Sequence, residues 1–166
     1  MSPTPQYQSQ RQPPQHAGRP AGRERDQRSS QSTIDTSRIR FGEEIDPLLY
    51  ADIAQQTAQA IAGAGKREQN KSTQLRRFYD ELILWNEKIN GSGNAEERAH
   101  RYAELVPLVK MLKAKVTYAK GRGHVDENFE TLFCHVIDAI RDAKTLEQAK
   151  LFMEAFMGFY KATAKG

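Results

Sequence analysis

Apolar residues along this chain recur at spacings of three and four, which gather them on one face of an α-helix. The clearest stripe is Leu75, Phe78, Leu82, Trp85 and Ile89; it predicts a helix capped by Ser72 or Thr73 and ended by Asn90-Gly-Ser-Gly93. Upstream, Asp46-Pro47 fits an N-cap with proline at the first helical position and opens a weakly amphipathic, Ala- and Gln-rich helix to about Gly63. Downstream, Asn94 caps a helix whose stripe of Tyr102, Leu105, Val109, Leu112, Val116 and Ala119 passes through Pro107. Proline withholds one backbone N–H, so a kink or short break is expected there. Asp126 caps a fourth helix with Phe129, Leu132, Phe133, Val136, Ile137 and Ile140 on one face. Thr145-Leu-Glu-Gln148 has capping-box spacing and starts a fifth, with Ala149, Phe152, Met153, Phe156 and Tyr160 inward. Nothing reads as a strand pair. The expected fold is all-α, a compact bundle of five helices over 45–163 whose short connections make neighbours antiparallel.

Composition changes the picture at the front of the chain. Residues 1–33 contain seven Gln, five Pro and five Ser, with Tyr7 as the one large ring, so nothing there offsets the cost of ordering the backbone. This divides the 166 residues into a disordered tail over 1–44 and a helical domain over 45–166. The formal net charge is +4, and residues 1–40 carry all of it through seven Arg against Glu24, Asp26 and Asp35. The tail's Arg11, Arg19, Arg23, Arg25 and Arg28 suit either non-specific contact with nucleic acid or plain solvation. No apolar run is long enough to cross a bilayer and the first 30 residues lack a signal-peptide core, so a cytoplasmic protein without membrane contact is expected.

The search for catalytic chemistry comes back empty. Cys134 is the single cysteine, which excludes an internal disulfide, and with His16, His100, His124 and His135 it forms no pair at zinc-ligand spacing. No metal or cofactor is expected. Phosphate-cradling loops, nucleophile elbows and metalloprotease motifs are absent. Lys120-Gly-Arg-Gly-His124 ends a helix rather than opening one after a strand, which places favourable cations on the helix dipole. Adjacent Cys134 and His135 lie about 100° apart on a helix and do not face each other as nucleophile and base. Glu96/Glu97 and Asp126/Glu127 sit in first helical turns, where acids serve as capping charges. The chain reads as a non-enzyme.

Charge order along the chain is more informative. Between Glu104 and Asp126 stand Lys110, Lys113, Lys115, Lys120 and Arg122 with no acid; over 66–79, Lys66, Arg67, Lys71, Arg76 and Arg77 face only Glu68. Residues 126–160 invert this, with seven acids against Arg141, Lys144 and Lys150. On a helical wheel the five bases before Asp126 cover most of the side away from the apolar stripe, which suits a surface laid along a polyanion better than a pocket for one phosphate. Tyr118, the one ring among them, either stacks on a ribose or base edge or packs over its neighbours' aliphatic stems. Opposite-signed segments also suit head-to-tail self-association, with Met111, Leu151 and Phe159 as contact points or as edges of the core.

Three segments, 72–81 (STQLRRFYDE), 109–122 (VKMLKAKVTYAKGR) and 152–161 (FMEAFMGFYK), resemble the small subunit of the type III-A CRISPR effector, the Csm complex, in order and approximate spacing. The resemblance covers about 70–161; the tail is not part of it and the 46–63 helix matches only loosely. It implies a non-catalytic helical protein present in several copies, stacked as a filament beside a repeated backbone subunit along the guide RNA and target RNA. Carried over residue by residue, the RNA-binding positions it implies are Lys71, Arg76, Arg77, Lys110, Lys113, Lys115, Lys120, Arg122 and Lys161; the wheel adds Tyr118. Target cleavage would belong to other subunits. The expected function is thus sequence-independent RNA binding in antiviral defence, with a helical protein–protein adaptor that never touches nucleic acid as the second reading, and a small helical nuclease a distant third.

Overall fold

The computed structural model describes Met1 and residues 34–64, 66 and 68–163. A π-helical turn, Leu49–Ile53, runs into α1 (Ala54–Ala64), followed by α2 (Ser72–Asn90), α3 (Ala95–Lys110), α4 (Leu112–Gly121), α5 (Glu127–Ala139) and α6 (Ala143–Thr163). The expected all-α bundle is present, and no strand occurs among the described residues. The expected third helix is divided into α3 and α4 at Met111, four residues beyond Pro107. Pro107 offers no N–H to the preceding turn, yet its carbonyl still accepts from Met111 N at 3.1 Å. The chain therefore passes from α3 to α4 through a single residue outside either helix.

The apolar stripes fold inward as their spacing dictates. On α5, Phe129, Leu132, Phe133, Val136 and Ile137 are fully buried; on α6, Leu146, Ala149, Phe152, Met153 and Phe156 are too. α6 is the spine, with α1 and α2 both packed along it, while α4 lies against α5. Rings from three helices meet in the centre: Phe78 of α2 lies 5.2 Å from Phe133 and 5.7 Å from Phe129, and Phe129 lies 6.2 Å from Phe156. Those spacings fall in the range of favourable aromatic pairs. Tyr102, Leu105 and Ala119 are only half-buried, at the edge of the α3–α4 stripe.

Helix ends follow the sequence at two places and depart from it at two. Asn94 Oδ1 accepts from Glu97 N at 3.0 Å and Asp126 Oδ1 from Phe129 N at 2.9 Å, both as the caps require. For α2, Ser72 is already helical; Lys71 is the N-cap, and the Gln74 side chain accepts its N–H at 3.2 Å. For α6, the box lies three residues earlier than expected. Asp142 Oδ1 accepts from Thr145 N at 2.7 Å, and Thr145 Oγ1 accepts from Asp142 N at 2.9 Å. Gln148 is thereby released, and it binds both the N–H and the carbonyl of Gly42, at 2.8 and 2.9 Å.

That contact moves the start of the packed chain. The tail expected over 1–44 includes 34–44, where Ile39 and Phe41 are buried at 1% and 5% exposure in the same core as the helices. Ile34, Ile39 and Phe41 in an otherwise polar stretch carry no helical period, so the sequence pattern places them outside. Residues 2–33 of that expected tail lie outside the described residues. A second long-range tie is Asn70, at φ +57. Its N–H donates to His124 O at 2.9 Å, its Oδ1 accepts from Asp126 N at 3.0 Å, and its carbonyl accepts from Tyr160 Oη at 2.6 Å. One residue thus joins the α1–α2 connection, the α4–α5 connection and the end of α6.

Replacing Phe129 with Ala should lower the unfolding free energy by about 3–5 kcal/mol in urea denaturation, because three ring contacts are lost from a site that cannot collapse. Burial, with Asp126 adding to it, pushes the Tyr160 hydroxyl up to about 12 from its ordinary 10.0. A group with a raised folded pKa contributes its full stability below the unfolded value and loses it as pH rises through the folded one. Stability should therefore fall between pH 10 and 12. Tyr160→Phe should flatten that part of the profile while costing about 1 kcal/mol at neutral pH for the lost bond to Asn70.

Candidate nucleic-acid interface

The basic run is presented by α4 and the end of α3, and packing sorts its members. Lys110 is half-buried and turned into the fold, where Nζ donates to the carbonyls of Ile137 at 2.5 Å and Ile140 at 2.8 Å. It caps the C-terminus of α5, a favourable place for a cation. Burial pushes its ammonium down from the ordinary lysine value. Lys113 reaches Asp138 at 2.7 Å, and Lys120 pairs with Glu127 and with Glu130, the latter at 2.5 Å. Those bonds hold both ammonium groups above their usual range. On the other side, Lys115 reaches across to Glu81 of α2 at 2.5 Å.

The charge order of the sequence is thus resolved inside one molecule: the basic helix α4 lies antiparallel to the acidic helix α5. Sequence reasoning placed these lysines on a solvent-facing side because a helical wheel knows nothing of the neighbouring helix. Each pair is partly exposed, so each contributes on the order of 0–1 kcal/mol. Their larger effect is on the surface potential, which is close to neutral where lysine and carboxylate alternate.

Three candidates on α2 and α4 make no such ion pair. Arg122 is exposed at the end of α4, Tyr118 stands one turn earlier at 67% exposure, and Arg77 is exposed on α2. Lys115, Tyr118 and Arg122 follow at spacings of three and four and so share a face, while Arg77 precedes Glu81 by one turn. The Lys115–Glu81 bond and a 3.3 Å contact between Gln74 Nε2 and His124 Nδ1 fix α2 and α4 antiparallel, with Arg77 bracketed between the two contacts. Among the described residues, the side chains of Arg77, Tyr118 and Arg122 have no hydrogen-bond or ion-pair partner.

The remaining candidates occupy a different side. Arg76 bonds Asp80 at 2.7 Å with its guanidinium over the Tyr79 ring, and exposed Lys161 of α6 lies across a shallow groove from it, lined also by Ser72, Thr73 and Met157. Lys71, just before α2, pairs with Glu68 at 2.6 Å. The ten sequence candidates therefore divide into Arg77, Lys115, Tyr118 and Arg122 on α2 and α4, Arg76 and Lys161 at the α2–α6 groove, Lys110, Lys113 and Lys120 committed to α5, and Lys71 paired ahead of α2. Of the apolar contact candidates, Met111 and Leu151 are exposed at 48% and 40%, whereas Phe159 packs half-buried against the core.

Of the groups weighed for catalysis, His135 and Cys134 lie within α5, and His135 meets the segment that precedes the helices. His135 Nε2 bonds Ile39 O at 2.7 Å, and burial pushes the half-buried Cys134 thiol up. No group of three or more metal-ligating side chains is gathered among the described residues, and no helix there is long and apolar enough to cross a membrane. The residue that sequence reasoning missed is Asn70, which sets where the α4–α5 connection meets α2. Its one sequence signal was an asparagine directly ahead of a helix, a residue that tolerates positive φ.

No curated protein and no solved structure matches this chain. The family model described as Csm2 Type III-A matches residues 49–166, which covers α1 through α6 and leaves the preceding segment outside. The match spans well over half of the sequence and agrees with the resemblance carried by 72–81, 109–122 and 152–161. The chain belongs to the Csm2 type III-A family, the small structural subunit of the type III-A CRISPR effector that assembles with the other Csm subunits.

Proposed function

We propose that this subunit is a non-catalytic RNA-backbone clamp that stacks in several copies along the guide RNA and its target in cytoplasmic antiviral defence. The observation that carries the reading is that Tyr118 and Arg122 share an exposed face of α4 and Arg77 is exposed on α2, with no ion-pair partner for either guanidinium among the described residues. Arginine matches phosphate with a planar fork of donors, and a tyrosine face accepts a ribose or base. Contacts of this kind position a strand without reading its sequence, which base pairing between guide and target supplies. The ion-paired Lys113, Lys115 and Lys120 contribute at the margin, because a phosphate arriving there also meets a carboxylate.

Stacking of copies is supported by exposed apolar residues on α2, α3 and between α3 and α4, namely Leu84, Leu108 and Met111, each at least 40% exposed. Those exposed residues also favour the adaptor reading, in which α2–α4 meets protein alone. Retention of RNA by the purified full chain separates the two.

Arg77→Glu combined with Arg122→Glu should leave the helical circular-dichroism spectrum unchanged and weaken RNA binding at least tenfold. It should also lower the slope of log K against log salt by about 1.5, the loss of two phosphate contacts. Unchanged affinity and slope would exclude this face. Lys110→Ala makes the converse prediction: RNA affinity is retained while the unfolding free energy drops by about 1–3 kcal/mol, since carbonyls at the end of α5 lose the half-buried ammonium that bonds them.

A further inference from the structure

The segment 39–42 crosses the α5–α6 junction as an extended peptide held almost entirely by side chains. Ile39 and Phe41 point inward and are buried, with Phe41 6.2 Å from Phe152, while Arg40 between them is exposed. The backbone is read at four points. His135 Nε2 bonds Ile39 O at 2.7 Å, Arg141 donates to Phe41 O at 2.7 Å, and Gln148 takes both the N–H and the carbonyl of Gly42. Lys144 closes the far end on Glu43 at 3.0 Å. The backbone-to-backbone bond of the segment is local, from Ile39 N to Thr36 O.

The junction also selects glycine. Gly42 sits at φ +150, and a Cβ there would lie 3.1 Å from Arg141 Nη2. Alternate apolar pockets, a clamp on the main chain and a glycine-only position together make a receptor for one kind of peptide, apolar-x-apolar-Gly. The receptor residues His135, Arg141 and Gln148 fall within the stretch matched by the family model, whereas the peptide precedes it. A cis-bound peptide attached through the six residues 43–48 is the arrangement from which segment exchange between identical chains arises at low cost.

We propose that the α5–α6 junction is a peptide-binding site for an extended apolar-x-apolar-Gly segment, filled in the single chain by its own residues 39–42 and filled between copies by the same segment of a second copy. The inference is independent of RNA binding: it uses none of Arg77, Tyr118 or Arg122.

Complementation of two full-length variants tests it. Gly42→Ala spoils the peptide and leaves the receptor; Gln148→Ala weakens the receptor and leaves the peptide. Sedimentation velocity of each variant alone and of their equimolar mixture should show a one-to-one complex that appears only on mixing. A fluorescent peptide spanning 36–46 should bind the Gly42→Ala chain at least tenfold more tightly than the unaltered chain, whose site is occupied, and a peptide carrying Gly42→Ala should not bind. A mixture that sediments as its separate components overturns exchange between copies. Peptide binding that is absent from the Gly42→Ala chain, or that survives Gln148→Ala unchanged, overturns the site itself.

Discussion

The basic face of this molecule takes its form from the burial of α5. Its five fully buried apolar residues need cover on every side, and they obtain it from Phe78 of α2, Phe156 of α6 and the apolar stripe of α4. The aromatic contacts fix where α2 stands relative to α5, and the packing of α4 on α5 fixes the other side. The bridge between α2 and α4 is a consequence: α2 packs along α6 and α4 on α5, and Lys115 then reaches Glu81 while Gln74 meets His124. Asn70 pins the open end of that arrangement by tying the α4–α5 connection to the start of α2.

Electrostatics then acts within a framework set by packing. The acidic and basic segments that stand apart along the chain are neighbours in space, and three of the five bases between Glu104 and Asp126 meet carboxylates on α5 or α2. A fourth, Lys110, is spent on the carbonyls at the end of α5. What remains for a polyanion is a small set of arginines and one ring rather than a continuous basic stripe. Under the proposed function such a surface would hold a sugar–phosphate backbone and leave sequence reading to base pairing.

The stripes on α2, α5 and α6 were legible because large apolar residues recur at three and four positions, and Asn94 and Asp126 were legible because a cap is a local device. Three features were not, for a common reason. Ile39 and Phe41 join the core through partners about a hundred residues away, Gln148 spends its amide on Gly42, and Asn70 works through two other connections. None of these has a short-range pattern. The candidate site was legible as a region, since the run 109–122 stands out by charge alone. Which of its members are free was decided by the position of α5, which a helical wheel for one segment cannot supply.

Ultraviolet cross-linking of the assembled effector, loaded with guide and target RNA and read by mass spectrometry of the small subunit, tests the proposed RNA contact most directly. Adducts should concentrate on the peptide bearing Tyr118 and Arg122 and on that bearing Arg77. Adducts confined to other surfaces, or a small subunit without any, would contradict the assignment of the α2–α4 face to RNA.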